Sequence, residues 1–269
     1  MPLLIGLAAF FLVLGAARLR IGPAVRVQEL ARRAWPTVRT YVTRSPATFL
    51  YLFTVTVTAW VLATSGPGID EALLRGHSSN LAALAQDPFR GLVQSAFWVE
   101  GAGALAVAWA LGIVLAPVER WLGTARWLVV FLAGHIGTSL LVAGVIWAEV
   151  RWGVAEPGLR NVIDVGVSYG FGAVAGVVTY RLTRRAAYAY AGAVLGVLLV
   201  VLAVDQGFTA LGHVIAFLVG LACRPLVLGA GPRRRAREPF YAAPRRAEPG
   251  ARGAPVPVSS SRGPGKPSA

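Results

Sequence analysis

A serine and a histidine in apolar surroundings are the residues of this chain best suited to act together in chemistry. Ser168 lies in the glycine-rich segment DVGVSYGFGAVAG (164–176), and His213 lies near the start of a later apolar segment. A serine hydroxyl becomes a nucleophile when a base within hydrogen-bond reach takes its proton. Two other interpretations stay open at this point. Serine among glycines also lets membrane helices pack closely, and its hydroxyl can simply bond a backbone carbonyl one turn back.

Sequence spacing predicts that the two residues lie at similar depths in a membrane. Ser168 follows Asp164 by four residues and His213 follows Asp205 by eight, so each lies near the outer end of its own apolar segment. At a rise of about 1.5 Å per residue, both would lie roughly 6–12 Å below the outer surface. A histidine at that depth is costly, so it has either a functional role or a structural hydrogen bond.

Small residues on the two segments predict that their helices touch. Glycines recur at four-residue spacing on the serine segment and small residues recur likewise on the histidine segment: Gly166, Gly170, Gly172 and Gly176; Gly212, Ala216 and Gly220. In lipid, such stripes allow backbones to approach closely. Close approach would bring the Ser168 hydroxyl within reach of the His213 ring, as a Ser–His dyad requires.

Three further polar residues are candidates for supporting roles. Glu100 is either a protonated donor in a dry pocket or a group that hydrates a wet cavity. His135 bonds across to another helix or joins Glu100. Asp164 caps the helix that carries the serine. A zinc site from these residues and His213 is conceivable, but they come from four segments without local His-x-x-x-His spacing, so we predict no metal and no cofactor.

The composition is that of a membrane protein. Of 269 residues, 56% are hydrophobic and 14% are charged, against about a quarter charged in soluble domains. The net charge of +14 is mostly arginine outside the apolar runs, which favours orientation in a lipid bilayer over nucleic-acid binding. The single Cys223 excludes an internal disulfide.

The chain divides into a basic segment (1–47), a six-helix transmembrane domain (48–230) and a basic tail (231–269) that we expect to be disordered. Residues 1–17 form a marginal extra span, an interfacial segment or an upstream extension. A polar connector, 69–90, can form a short interfacial helix, and a polar link, 117–126, separates spans two and three. The predicted spans are approximately 48–64, 92–115, 127–147, 163–182, 187–204 and 208–228.

Arginine placement predicts the orientation. Segments before span one, between spans two and three, between four and five, and after six carry arginine with little acid, whereas the other loops are neutral or acidic. The positive-inside rule therefore places both ends of the six-helix core in the cytoplasm of a plasma-membrane protein. The loops that precede Ser168 and His213 then face outward.

Several motifs in the same order resemble the rhomboid family of intramembrane serine proteases, and more closely its divergent bacterial rhomboid-like relatives. They are Ser95-Ala-Phe97; Gly112 followed by Val118-Glu-Arg120, Gly123 and Arg126; Gly166-Val-Ser-Tyr-Gly170; and Gly212-His-Val-Ile-Ala-Phe-Leu-Val-Gly220. The resemblance implies an all-α, rhomboid-like six-helix membrane bundle. It also implies that Ser168 is the nucleophile, that His213 is its base, and that the substrates are transmembrane segments of other proteins.

The sequence departs from the family pattern in two places. The family has His-x-x-x-Asn in span two to bind the oxyanion, and those positions fall at about Glu100 and Ala104. Tyr169 follows the serine where the family has glycine. Supporting or oxyanion-binding candidates are Glu100, Asp164, Gly166, Tyr169 and His135. The alternative is a non-catalytic member that binds membrane helices, and a small-solute transporter is disfavoured because no inverted repeat is evident.

Overall fold

The computed structural model describes residues 22–66, 68–156, 158–159, 165 and 167–228. The predictions for residues 1–17 and for the 231–269 tail lie outside these residues, as do Asp164 and Gly166. The helices are α1 (Gly22–Thr43), α2 (Pro46–Thr64), α3 (Ile69–Gly76), α4 (Leu81–Gln86), α5 (Pro88–Ser95), α6 (Gly101–Leu122), α7 (Thr124–Arg151), α8 (Ser168–Val178), α9 (Arg184–Asp205), α10 (Phe208–Ala222) and α11 (Arg224–Leu228), with a 3₁₀ turn at Thr179–Arg181.

Four described helices, α2, α6, α7 and α9, are long and apolar enough to cross a membrane. A fifth apolar helix, α10, has 15 residues. The sixth, α8, has 11 residues and is therefore only about 16 Å long. Together they confirm the predicted helical membrane bundle, with two of its six members shorter than the hydrocarbon layer.

The short helix α8 lies at the centre of the bundle. It packs against α10, α7 and α6, and most of its side chains are buried. Phe171 of α8 meets the rings of Tyr51 and Phe131, whose centroids lie 5.9 and 5.4 Å from its own. Because other helices cover α8, its length need not match the bilayer.

Span two begins later than predicted. The apolar run from Leu92 was read as one helix, but α5 ends at Ser95 and α6 begins at Gly101, which has a φ of +78°. The intervening turn is held from α2: Tyr51 donates to the Ala96 carbonyl and Thr58 to the Phe97 carbonyl, both at 2.5 Å. Side chains of α2 thus take up carbonyls that a continuous helix would have bonded internally.

Three other boundaries also differ from prediction. The link 117–126 is not a loop, because α6 continues to Leu122 and a single residue, Gly123, separates it from α7. The helix that carries the serine begins at Ser168, whereas its span was predicted from 163, a residue outside the described ones. The connector 69–90 contains three short helices, α3 to α5, instead of one.

One end of the bundle is organised around Glu119, which is 1% exposed. Its Oε1 accepts from the Ala47 backbone N–H and the Thr124 hydroxyl, and its Oε2 accepts from both the backbone N–H and the hydroxyl of Thr48, at 2.8–3.0 Å. The carboxylate therefore satisfies backbone donors that α2 leaves unpaired at its start. Ser45, in the N-cap position, instead donates to the Ala116 carbonyl. We call this the Glu119 end and the opposite one the Ser168 end.

Candidate functional site at the Ser168 end

Ser168 is the first residue of α8 and is half-buried. The N-cap position belongs to Val167, whose side chain cannot cap the helix. Asp164, predicted to be the cap, lies outside the described residues. The amide-rich start of α8 carries the positive end of the helix dipole, which favours negative charge beside it.

The predicted contact between α8 and α10 is present, and it is made by small residues. A Cβ added to Gly220 would overlap the Ala173 carbonyl oxygen, and one added to Gly176 would overlap that of Phe217. Farther toward Ser168, a Cβ on Gly172 would lie 3.0 Å from that of Ala216. The two backbones therefore touch along the stripes, and this contact fixes the register of Ser168 against His213.

Tyr169 fills the space between the first turn of α8 and the second turn of α10. Its ring lies against the backbone of Gly212, where an added Cβ would come within 2.5 Å of it. The same ring meets His213 edge to face, with centroids 5.6 Å apart and planes at 71°. His213 is half-buried, and no hydrogen bond joins it to Ser168 within the part of the chain that the structure describes. The neighbour of the serine thus contacts the histidine, while the dyad bond itself is not made.

A small cavity of about 30 Å³ lies beside this contact, and its lining includes Tyr169, Thr209, Ser79 and Asn80 together with apolar side chains of α7. A volume of about 10–15 Å³ is enough to hold a water molecule when polar partners are present. Thr209 lies one helical turn before His213. The Ser168 end can therefore hold water beside Tyr169, in a cavity that neither Ser168 nor His213 lines.

Comparison with known protein families gave a match. A family model described as rhomboid-like protein matches residues 40–233. The chain belongs to the rhomboid-like family. The match covers every helix from α2 to α11, so it includes both candidate residues. Comparisons with curated proteins and with solved structures gave no match.

Glu100 does not fit the expectation of a protonated donor in a dry pocket. In this rhomboid-like bundle it is exposed, directly precedes α6 and makes no capping hydrogen bond. Ala104, one turn into α6, is exposed as well. Among the described residues, the beginning of α6 therefore brings no enclosed side-chain donor to Ser168, and the alternative that Glu100 hydrates a wet cavity stays a prediction.

His135 bonds across to another helix, which is one of the two predicted possibilities, and does not join Glu100. It is 2% exposed, and its Nε2 lies 2.9 Å from the Leu92 carbonyl oxygen and 3.2 Å from Ser95 Oγ. Since the carbonyl can only accept, Nε2 carries the proton and donates to it. His135 thus ties α7 to the end of α5 and so supports the cover of the Ser168 end.

The rhomboid-like site shows no grouping suited to a metal among its described residues, where no three His, Cys, Asp or Glu side chains come together. Asp164, one member of the conceivable zinc set, lies outside those residues, as does Gly166.

The Ser168 end also contains a buried polar turn, residues 78–80, that is not among the candidates predicted from the sequence. Ser78, Ser79 and Asn80 are buried, and Asn80 caps α4 by accepting from the Ala83 backbone N–H at 2.8 Å. Before them, His77 stacks on Trp98 with centroids 4.4 Å apart. Serine and asparagine ahead of an apolar helical run are an N-cap signal, so the turn, though not its burial, was predictable.

Proposed function

We propose that this rhomboid-like membrane protein is an intramembrane serine protease in which Ser168 is the nucleophile and His213 is its base. The observation that carries the proposal is the contact between the small residues of α8 and α10, which sets the first turn of α8 against the second turn of α10, where Gly212 and His213 lie. The edge-to-face contact between Tyr169 and His213 supports it, because His213 contacts the residue that directly follows Ser168 in the chain.

The proposed chemistry is acyl transfer in two steps. His213 takes the proton of Ser168 while Oγ attacks a peptide carbonyl carbon, and it then gives that proton to the departing amine. Water from the adjoining cavity next attacks the ester, and the acid product leaves as Ser168 regains its proton. The start of α8 supports the oxyanion through its backbone amides and dipole, a role that the exposed Glu100 does not share.

The proposed substrates are transmembrane segments of other proteins. Ser168 lies within a bundle of apolar helices and close to one of its ends. A peptide bond that reaches it therefore belongs to a chain already in the membrane or at its surface. Half-burial of both candidate residues supports access from a neighbouring cavity over free exposure.

We propose a plasma-membrane location with the Glu119 end in the cytoplasm. Antiparallel packing gathers arginines at this end, whereas acids lie mostly at the other: Arg44, Arg120, Arg126, Arg181, Arg184, Arg185 and Arg224; Asp70, Glu71, Glu149, Glu156 and Asp205. The positive-inside rule supports this orientation. Labelling of single cysteines at Arg185 and Glu156 by a membrane-impermeant reagent tests it, with only the second expected to react from outside.

A fluorescent phosphonate that reacts with activated serines tests the catalytic proposal. The full chain in nanodiscs is expected to be labelled, and Ser168→Ala is expected to abolish the label. His213→Ala should lower the labelling rate by at least about 10²-fold, the usual contribution of a positioned general base. Ser139→Ala, at a buried serine of α7, is the matched control and should label normally.

A non-catalytic role in binding membrane helices is the second candidate. It is favoured by a specific observation: Tyr169 lies against His213 where a dyad would bring the serine, and α6 supplies no enclosed donor. Folded protein that takes no label, alongside retained crosslinking of a transmembrane peptide to photoreactive groups on α9, would support this role and reject the protease.

A further inference from the structure

The helix that precedes the bundle, α1, has one apolar and one basic side. With 3.6 residues per turn, one side of α1 carries its apolar residues: Leu30, Ala31, Ala34, Trp35 and Val38. Arg32, Arg33 and Arg39 lie around the opposite side, together with Glu29. The pattern is that of a helix whose two sides require different surroundings.

The apolar side of α1 is not covered by the described protein. Leu30 is 67% exposed, Trp35 is 64% exposed and Val38 is 47% exposed. The neighbouring positions from 28 to 39 are exposed as well. Single exposed apolar residues are ordinary, but three large ones on one side of a helix indicate a contact surface.

Among the described side chains of α1, those that pack against the bundle belong to its last turn. The Tyr41 hydroxyl donates to the Ile113 carbonyl at 2.5 Å, and the Arg120 guanidinium lies 4.7 Å above the Tyr41 ring. Both contacts are on α6 near the Glu119 end. They hold the end of α1 beside the start of α2, from which Arg44 and Ser45 separate it along the chain, whereas positions 28–39 of α1 are exposed.

Neither water nor the bilayer interior suits both sides of α1. Water would leave its apolar side exposed, while the bilayer interior would enclose its arginines, and α1 is not among the helices apolar enough to span. The boundary between headgroups and acyl chains suits both sides at once. Since α1 adjoins the start of a membrane span, it is already at the right height to reach that boundary.

We propose that α1 lies on the membrane surface at the Glu119 end and binds anionic lipid. Leu30, Trp35 and Val38 enter the acyl-chain boundary, and Arg32, Arg33 and Arg39 contact lipid phosphates. The charge of the arginines favours this occupant, because an anionic leaflet attracts each basic residue near it. The segment that follows α11, residues 229–269, is itself rich in arginine. It therefore lacks the negative charge that would complement the basic side of α1.

Spin-label accessibility in the full chain tests the proposal. Cys223→Ser removes the native thiol, and a label is then placed by Val38→Cys or by Arg32→Cys. In nanodiscs containing phosphatidylglycerol, we expect the label at 38 to collide mainly with oxygen, which concentrates in lipid. The label at 32 should collide mainly with a water-soluble nickel chelate. A label at Leu128, an exposed residue of the α7 span, provides the lipid reference.

The arginines are tested by charge. Arg39→Ser in the Val38→Cys background should lower the docked-to-undocked ratio about fivefold, the change expected for one arginine near an anionic surface. Glu29→Gln should raise it. Replacing phosphatidylglycerol with phosphatidylcholine should reduce docking more than Arg39→Ser does.

Each other outcome overturns the proposal. Equal nickel accessibility at 32 and 38 means that α1 lies in water. Protection of both labels from both reagents means that protein covers α1. If accessibility then returns on dilution, the cover is a second copy; if it returns on removal of 229–269, the cover is that segment. A docked-to-undocked ratio that is the same in phosphatidylglycerol and phosphatidylcholine rules out the role of the arginines.

Discussion

Glu119 at one end of the bundle and the Ser168–His213 pair at the other differ in how far the protein satisfies their hydrogen bonds. At the Glu119 end, one enclosed carboxylate accepts four hydrogen bonds and joins α6 to the starts of α2 and α7. At the Ser168 end, serine and histidine are half-buried on adjoining helices without bonding each other. A polar group whose bonds are all satisfied by protein stabilises the fold. One that keeps unused bonding capacity remains available to a ligand or a reaction.

The largest effect is expected from removing the carboxylate. Glu119→Ala leaves the Ala47 and Thr48 amides buried without an acceptor, at about 1–3 kcal/mol each. Glu119→Gln should cost less, since the new NH₂ group faces just one of the two amides. The free energy of unfolding in mixed micelles containing dodecyl sulfate measures both. Glu100→Gln, at an exposed site, is the control and should change it by less than about 0.5 kcal/mol; equal losses at 100 and 119 would refute the contrast.

The next largest effect concerns packing between α8 and α10. Gly220→Ala forces a methyl group into the Ala173 carbonyl and must separate the helices, at an expected cost of about 1–3 kcal/mol. Gly196→Ala on α9 is the matched control, because nothing lies within 4 Å of an added Cβ there. It should be neutral or stabilising by up to about 1 kcal/mol. If both variants unfold alike, the close approach is not important.

A smaller effect is expected where α9 meets the bundle. None of its side chains is buried, but the Tyr190 hydroxyl donates to the Ala175 carbonyl at 3.0 Å. Tyr190→Phe should cost about 0.5–1.5 kcal/mol and speed amide exchange along α9. Tyr188→Phe, at a tyrosine that is 70% exposed, should do neither. Unchanged exchange in Tyr190→Phe would mean that lipid, not this bond, holds α9 in place.

The smallest effect on stability is expected at the candidate nucleophile. Ser168→Ala removes no hydrogen bond to the described residues, so the unfolding free energy should change by less than about 0.5 kcal/mol. Ser95→Ala removes the contact with His135 and should cost about 1 kcal/mol. A stability loss at 168 equal to that at 95 would assign Ser168 a structural role and weaken the proposed chemistry.

The sequence predicted well what depends on local composition. Small residues such as Gly172, Gly176 and Gly220 have few reasons to recur at four-residue spacing in lipid except close packing, and the structure confirms that contact. Long apolar runs likewise predicted the helices α2, α7 and α9 to within a few residues.

What the sequence could not predict depends on distant partners. The run after Leu92 is apolar throughout, and its break before Gly101 is stabilised by hydroxyls of Tyr51 and Thr58 on another helix. Glu119 was noted within a motif, but its four donors come from segments 72 residues before it and 5 residues after it. For His135 the sequence left two possibilities, a bond to another helix or a contact with Glu100, and nothing local identified Leu92 and Ser95 as its partners. The distance that decides catalysis, from Ser168 to His213, is of this same long-range kind.

Unequal helix lengths have a consequence for how the protein responds to its bilayer. With 28 residues, α7 is about 42 Å long and exceeds a hydrocarbon thickness of about 30 Å, so it must tilt or protrude. Its neighbour α8 has 11 residues and is shielded from lipid, but the two touch closely at Gly134, where an added Cβ would overlap that of Ala173. Shorter-chain phospholipids would increase the tilt of α7. Because α7 and α8 touch at Gly134 and Ala173, this tilt would shift α8, and Ser168 with it.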